Sequence, residues 1–369
     1  MKILLTGGGT AGHINPAIAI ANYIRQRCPE CEILFVGTRG GLEKKLVPKA
    51  GYDIRYIEVK GLKRSLSPEN FKVLAEYITS IRASKRILRE FRPDAVIGTG
   101  GYVCAPVVRA AYSMKIPTII HEQNVFPGLA IKMLSRRADV TAISFAETEK
   151  MMHAKRFVLT GNPLRPGIFN KCDKEAVRKS FGFDDKPIVL MFGGSLGAQK
   201  LDEALEKMLA EGIEGFNLIA ATGERYYDGI RKDLTEKGID ISKLGNLALL
   251  PYIYNMEEVF GAADLVVSRA GAITVSEITA LGKAAVLIPS PNVAHNHQEY
   301  NARYLEKNGA AKVIREDELT ARRLLETIRS ILSGGEKLSQ MKKDSAAIGI
   351  TDACETIYNE LMKLVSACR

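Results

Sequence analysis

The chain has 369 residues, 46% of them hydrophobic and 25% charged. That balance reads as a soluble globular protein, and the length exceeds one typical core, so two domains are expected. No apolar run approaches the ~20 residues that span a bilayer: the apolar region after Tyr102 is broken by Pro106, Arg109, Lys115 and Pro117. Met1-Lys2 leads straight into a buried-type strand, so no signal peptide and a cytoplasmic location are expected. The net charge of +10 is uneven. Residues 1–163 hold 25 Lys+Arg against 13 Asp+Glu, a net of +12, and the remainder holds 27 against 29, a net of −2. One half therefore meets something anionic and large, with nucleic acid and an anionic membrane both candidates.

In chain order, the first half predicts strands at 3–6, 33–36, 54–59, 95–97, 118–121, 140–142 and 157–159. Helices lie between them, at 16–27 and 127–136 for example. The second half repeats the plan, with strands at 188–192, 217–221, 247–250, 265–268, 285–288 and 311–314. Continuously apolar strands alternating with helices predict α/β architecture with parallel, doubly wound sheets. The turn formers Gly161 to Gly167 mark a boundary, giving domains at 1–163 and 164–349. A terminal helix over 352–365 follows a second candidate crossing near Gly349. Cys28-Pro29-Glu30-Cys31 has redox spacing but closes a helix rather than opening one, so it reads as a helix end leading into a strand. No metal-ligand spacing is visible: His295 and His297 are two apart, with no carboxylate or thiol completing a set.

Two glycine turns each follow a strand and precede a helix: Gly7-Gly8-Gly9-Thr10-Ala11-Gly12-His13 and Gly193-Gly194-Ser195-Leu196-Gly197-Ala198. Such turns let backbone N–H groups and a helix start approach an anion, so both are read as phosphate-facing, one from each domain, across a shared cleft. Gly7, Gly9 and Gly12 also satisfy the dinucleotide fingerprint. The second strand, however, ends Phe35-Val36-Gly37-Thr38-Arg39 without the acidic residue of a NAD site, although Arg39 leaves a 2′-phosphate open. No Gly-Lys-Ser/Thr follows either turn.

His13 has two readings, a general base at the cleft or a helix-start cap. His121-Glu122-Gln123-Asn124 ends a strand where open α/β sheets place ligands, or supplies hydrogen bonds to neighbouring loops. Gly98-Thr99-Gly100-Gly101-Tyr102 is either a tight turn or a further phosphate cradle. Ser268 to Glu277 is a strand end running into a helix start near Ala272, suited to a pyrophosphate. Glu277 lies one to two turns in, as a salt-bridge partner or as a bidentate acceptor for a ribose diol.

Between Lys60 and Arg92 nine basic residues face three glutamates. Phe71, Leu74, Ile78, Ile81, Leu88 and Phe91 recur at helical spacing, as a core stripe does. Leu62 and Leu66 instead flank Lys63 and Arg64 in a loop, which suits a membrane interface. No aromatic platform is interleaved, which disfavours RNA.

Together these blocks resemble the bacterial peptidoglycan N-acetylglucosaminyltransferases of glycosyltransferase family 28, over essentially the whole chain. The matching residues are Gly8 to His13, Gly100 to Tyr102, His121 to Asn124, Gly161-Asn162-Pro163-Leu164-Arg165, Gly193 to Ser195, Ala272 to Glu277, and Gln298. The resemblance implies a GT-B fold, two Rossmann-like domains with a C-terminal helix (350–369) returning to the first. It implies inverting transfer of GlcNAc from UDP-GlcNAc to the C4 hydroxyl of MurNAc in lipid I, giving lipid II, with no tightly bound metal and no cofactor.

It further implies His13 or Glu122 as catalytic base. Substrate binding falls to Thr10, Ala11, Gly12, Asn124, Arg165, Ser195, Ile253, Ala272, Ile273, Thr274, Val275, Ser276, Glu277 and Gln298. Acceptor binding falls to Gly9, Gly100, Gly101 and Tyr102. In this picture Ile253 offers backbone groups to uracil, and Gln298 and Asn124 read sugar hydroxyls. The basic N-terminal domain takes the lipid-linked acceptor. That places the chain peripherally at the cytoplasmic face of the plasma membrane, among cell-wall synthesis and division proteins, with no nucleic-acid role. Ala11 stands where glycine is common and Ala270 where serine is common; both are small enough to keep the turns. The runner-up is a non-hydrolysing UDP-GlcNAc 2-epimerase, and a third reading is a non-catalytic nucleotide-sugar sensor.

Overall fold

The computed structural model describes residues 1–59, 69–194 and 197–367. Leu62, Lys63, Arg64, Leu66 and Ser195 lie outside the described residues, and so do the side chains of Phe71 and Leu74. The chain divides into two compact units, one formed by Met1–Leu164 with Ile350–Arg369 and the other by Arg165–Gly349.

Unit 1 opens with β1 (Lys2–Thr6), α1 (Ala11–Arg27), β2 (Glu32–Gly37), α2 (Glu43–Lys49), β3 (Asp53–Tyr56) and α3 (Glu69–Phe91). It continues with β4 (Ala95–Gly98), α4 (Cys104–Ser113), β5 (Thr118–Glu122), α5 (Leu129–Leu134), β6 (Val140–Ile143) and β7 (Phe157–Leu159). Every strand pairing is parallel, in the order β3-β2-β1-β4-β5-β6-β7. Side-chain alternation along β1 explains the two-sided core. Ile3 and Leu5 pack with Ile14, Ile20 and Ile24 of α1. Leu4 packs on the opposite face with Val103, Val107 and Leu88.

The spacing predicts the first helix from Pro16, but α1 begins five residues earlier, at Ala11. Proline is best tolerated in a first turn, yet here it costs one backbone bond inside a helix whose apolar face is fully buried. The extension matters because it puts His13 in the first turn of α1. Cys28, the residue after α1, is disulfide-bonded to Cys31, a pairing that the helix-end reading of the spacing does not anticipate.

Unit 2 contains α6 (Lys174–Phe181), β8 (Ile188–Phe192), α7 (Gln199–Glu211), β9 (Asn217–Ala221), α8 (Glu224–Glu236), β10 (Leu247–Leu250) and α9 (Met256–Ala262). Then come β11 (Leu265–Ser268), α10 (Ala272–Ala280), β12 (Ala284–Leu287), α11 (His297–Lys307), β13 (Ala311–Val313), α12 (Ala321–Leu332) and α13 (Gly335–Ala347). Its six parallel strands run β10-β9-β8-β11-β12-β13.

The last helix, α14 (Ala353–Ala367), belongs to unit 1 and seats Ile357, Leu361 and Val365 in the core beside α1. Arg156 pairs with its buried Glu360. Among the described residues no helix is long and apolar enough to cross a membrane.

Both sheets reverse direction of winding once, between β1 and β4 in unit 1 and between β8 and β11 in unit 2. At such a switch point the loops leaving the two strands splay apart and open a crevice at their carboxyl ends. The loops there are Gly7–Thr10 with Thr99–Tyr102, and Gly193–Ala198 with Arg269–Gly271. These are the segments that the glycine pattern singles out.

Candidate functional site

In unit 1 the two switch-point loops lie backbone to backbone. Gly8 N–H donates to Gly100 O at 3.3 Å. A Cβ on Gly101, which has φ +79°, would stand 2.2 Å from Gly8 O, so only glycine permits this approach. Thr99 fastens the pair to α1, its hydroxyl donating to His13 O at 2.7 Å.

His13 Nδ1 lies 3.2 Å from Gly8 O and 3.2 Å from Thr10 Oγ1. A carbonyl oxygen only accepts, so the contact with Gly8 selects the tautomer with the proton on Nδ1. The lone pair then resides on Nε2, on the ring edge that faces Gly100, where an added Cβ would meet Cδ2 at 2.9 Å and Nε2 at 3.2 Å.

Glu43, which no motif pointed to, enters the same loops from the start of α2. Its side chain is fully buried. Oε2 accepts from Gly9 N–H at 3.1 Å, and Oε1 accepts from Thr38 N–H at 2.9 Å and Thr38 Oγ1 at 2.7 Å. Thr38 Oγ1 in turn lies 3.4 Å from Tyr102 Oη. The amide of Gly9 is thus already engaged by a protein carboxylate. The expectation of a phosphate contact at Gly9 is corrected accordingly: its N–H is taken by Glu43, and this bond does not bear on the α1 start at Thr10, Ala11 and Gly12. The sequence signal was poor, since Gly41-Leu42-Glu43-Lys44-Lys45 reads as a solvated helix start.

His121, Glu122 and Gln123 are all buried. His121 Nε2 donates to Gly161 O at 2.9 Å while Nδ1 accepts from Gln123 Nε2 at 3.0 Å, and Gln123 Nε2 also donates to Thr99 O at 2.8 Å. Burial pushes the His121 pKa down to about 4, so the ring is neutral. Glu122 closes the following loop. Oε1 accepts from Asn124 N–H at 3.0 Å and Asn124 Nδ2 at 3.2 Å, and Oε2 from Gly128 N–H at 2.8 Å. Burial raises its pKa against the pull of those bonds. Of the two candidate bases, Glu122 accepts through both oxygens from its own loop, and His13 turns Nδ1 toward Gly8 O.

In unit 2 the turn after β8 carries positive φ at Gly194 (+96°) and Gly197 (+73°). Here too a carboxylate takes a loop amide, for Asp202 Oδ2 accepts from Ala198 N–H at 3.2 Å. Asp202 is buried, and burial pushes its pKa up to about 7 although Arg269 pulls it down. The neighbouring loop differs. Helix α10 starts after an extended Gly271 and has no acidic residue in its first turn, formed by Ala272, Ile273 and Thr274. Ala270 is fully buried and its carbonyl accepts from buried Asn301 Nδ2 at 3.1 Å. Arg269 is tied to Ile288 O at 3.2 Å and paired with Glu316. The α10 start therefore offers a helix N-terminus with no carboxylate in its first turn, which suits a phosphate.

Val275, Ser276 and Glu277 are buried in α10. Glu277 Oε1 meets Arg165 Nη2 at 3.4 Å, and Arg165 Nη1 meets Glu257 Oε1 at 3.0 Å. Burial raises the Glu277 pKa, and the Arg165 guanidinium opposes that rise. Arg165 thus stands beside Glu277, as its counter-ion. Gln298 Oε1 accepts from Ser290 N–H at 2.9 Å, which orients its amide. Ile253 is buried between exposed Tyr252 and Tyr254, whose rings meet edge to face at 5.0 Å.

Unit 1 also carries a basic groove of about 840 Å³, lined by Arg109, Lys132, Arg136, Arg137, Lys150 and His153 together with Tyr77, Tyr112, Met133 and Met151. Met133 is 60% exposed, and Ile78, Tyr112 and Leu129 are exposed as well.

Residues 3–143 match the glycosyltransferase family 28 N-terminal domain and residues 188–357 the family 28 C-terminal domain. A protein of Acetivibrio thermocellus named UDP-N-acetylglucosamine–N-acetylmuramyl-(pentapeptide) pyrophosphoryl-undecaprenol N-acetylglucosamine transferase is 49% identical, covering 98% of both chains. A Listeria monocytogenes protein of the same name is 45% identical, covering 99% of this chain and all of its own. Among solved structures, MurG of Acinetobacter baumannii superposes with a TM-score of 0.79 at 28% identity, covering 98% of this chain and 99% of its own. A UDP-GlcNAc 2-epimerase of Neisseria meningitidis reaches a TM-score of 0.67 at 14% identity over 98% of this chain and all of its own, a likeness of fold alone.

Proposed function

Because this chain belongs to glycosyltransferase family 28, we infer that it transfers N-acetylglucosamine from UDP-GlcNAc to the undecaprenyl-pyrophosphoryl-N-acetylmuramyl-pentapeptide named in its relatives, lipid I, forming lipid II. The observation that carries this reading is the match of both family domains, in order, within a chain 49% identical end to end to a transferase of that name. The epimerase reading has only a shared fold at 14% identity behind it.

Unit 2 holds the donor. Its pyrophosphate rests on the start of α10 at residues 272–276, where backbone N–H groups and the helix dipole stabilise the charge that grows on departing UDP. Glu277 accepts both ribose hydroxyls, and the Arg165 guanidinium beside it favours the ionised carboxylate against the cost of burial. The backbone at Ile253 meets uracil, Ser195 meets phosphate, and Gln298 and Asn124 meet hydroxyls of the transferred sugar.

Unit 1 holds the acceptor through the loops of Gly100, Gly101 and Tyr102, with Thr10, Ala11 and Gly12 at the α1 start. The acceptor C4 oxygen attacks C1 of GlcNAc, and the C1–phosphate oxygen bond breaks with its electron pair leaving on UDP. The hydroxyl proton passes to His13 Nε2. One displacement inverts the anomeric carbon and gives a β-1,4 linkage. The basic groove of unit 1, with apolar side chains beside its cations, takes the anionic membrane surface at which a lipid-linked acceptor resides.

Mass analysis of products tests this reading. Incubation of UDP-GlcNAc with a lipid I analogue is expected to give UDP and an acceptor heavier by one N-acetylhexosamine, and donor alone is expected to persist unchanged. Conversion of the donor to its 2-epimer without acceptor would establish the epimerase instead.

A further inference from the structure

Glu43 is a fully buried carboxylate without an ion-pair partner among the described residues, and three glycines make room for it. A Cβ on Gly8 would lie 2.6 Å from its Oε1, one on Gly41 2.1 Å from Oε2, and one on Gly37 2.5 Å from Cγ. Burying a lone carboxylate is costly unless several donors hold it. The donors here are the Gly9 amide together with the amide and hydroxyl of Thr38. The chain therefore maintains a cradle for this group, and the cradle is the turn that carries the catalytic loop.

The backbone at Gly8 is held on three sides, by the carboxylate against its Cα, by Gly100 O on its N–H and by the close approach of Gly101. Its remaining polar atom, Gly8 O, faces His13 Nδ1 at 3.2 Å. Rotation of the Gly8–Gly9 peptide would carry that oxygen away from the ring, and the bond from Gly9 N–H to Glu43 Oε2 opposes that rotation.

We propose that Glu43 is a positioning residue for transfer, locking the Gly8–Gly9 peptide so that Gly8 O keeps the proton on His13 Nδ1 and the lone pair on Nε2. The proposal rests on the reading of His13 as the base. Glu43 acts through the backbone and touches neither substrate. Its Oε2 also occupies the Gly9 N–H, so an acceptor diphosphate is directed to the α1 start beyond it.

The test is ¹⁵N NMR of the full chain labelled at histidine, with the His13 signals assigned by their loss in His13→Ala, combined with steady-state kinetics on a lipid I analogue. The wild type should show His13 protonated at Nδ1 at a pH where the ring is neutral. In Glu43→Gln one carboxamide oxygen cannot serve the N–H groups of both Gly9 and Thr38, so the new NH2 meets one of them and the cradle loosens. The His13 signals should then move toward the tautomer mixture of free histidine, and kcat should fall about 10- to 100-fold, less than the ~10²–10⁴ carried by the base itself. The KM for UDP-GlcNAc should stay within about twofold, because the residues proposed for its UDP moiety are on unit 2.

Thr38→Val is the milder second variant, removing one donor to Oε1 while leaving the carboxylate in place. It should shift tautomer and kcat in the same direction by a smaller factor. Unchanged His13 tautomer and kcat in both variants overturns the proposal. If His13→Ala keeps near-wild-type turnover, the reading of the base fails instead. If His13→Ala is inactive while the Glu43 and Thr38 variants behave as wild type, only the positioning role fails.

Discussion

A carboxylate that accepts from a backbone amide ties down the turn that owns it, and Asp202 does this at the second glycine turn. Its folded pKa is raised from 3.8 to about 7 because burial disfavours the charged form. The folded state therefore holds the proton more tightly than the unfolded chain. The stability this contributes is full below the unfolded value and is lost as pH rises through the folded one. Urea unfolding of wild type and Asp202→Asn across pH 4 to 8 checks this. The stability of wild type relative to the variant should decline over that interval, and a constant difference would show that Asp202 titrates as an ordinary aspartate. Neither Asp202 nor Glu43 was legible in the sequence, since each is a charge in a polar run and its burial depends on loops brought to it by the fold. His13, Glu277 and the His121-Glu122-Gln123-Asn124 block were legible because each follows a glycine turn or strand end. Their division into ligand-facing and loop-closing groups was not, because it depends on which oxygen meets which amide.

At the scale of elements, short apolar runs bounded by turn formers located the strands well, as they must in sheets buried on both faces. The order β3-β2-β1-β4 and its counterpart in unit 2 carried no such signal, for periodicity reports which residues are buried and says nothing of which strand lies beside which. That order is what brings the loop of His13 against the loop of Gly100. The terminal helix α14 completes the core of unit 1, with Leu361 fully buried. Truncating a buried leucine removes transfer energy and leaves a cavity, so Leu361→Ala should destabilise unit 1 by ~2–5 kcal/mol. Equilibrium urea unfolding checks the loss, and UDP affinity below the transition should match the wild type because the residues proposed for UDP lie in the other unit. A loss of less than about 0.5 kcal/mol, the range of ordinary surface substitutions, would contradict the placement of this helix.

At the scale of the molecule, charge is divided between the halves, +12 on residues 1–163 and −2 on the rest. The basic groove of unit 1 gives part of that excess a location, beside exposed Met133 and Tyr112. Each cation near an anionic surface contributes ~1 kcal/mol, and the attraction fades with salt. The chain should therefore float with anionic liposomes, weakly with neutral ones, and detach as salt rises. Arg136→Glu with Arg137→Glu should weaken flotation and slow turnover of a long-chain acceptor far more than that of a short soluble one. Salt-insensitive binding, equal on both vesicle types and unmoved by these substitutions, would contradict electrostatic docking.

The central claim is a division of labour, with the base on one unit and the donor on the other. Steady-state kinetics of His13→Ala and Glu277→Ala on UDP-GlcNAc and a soluble lipid I analogue test it most directly. His13→Ala should lower kcat by ~10²–10⁴ with little change in donor KM. Glu277→Ala should chiefly raise donor KM, by the ~1.5–3 kcal/mol of a lost charge-assisted hydrogen bond. Near-wild-type kcat in His13→Ala together with an unchanged donor KM in Glu277→Ala would contradict it.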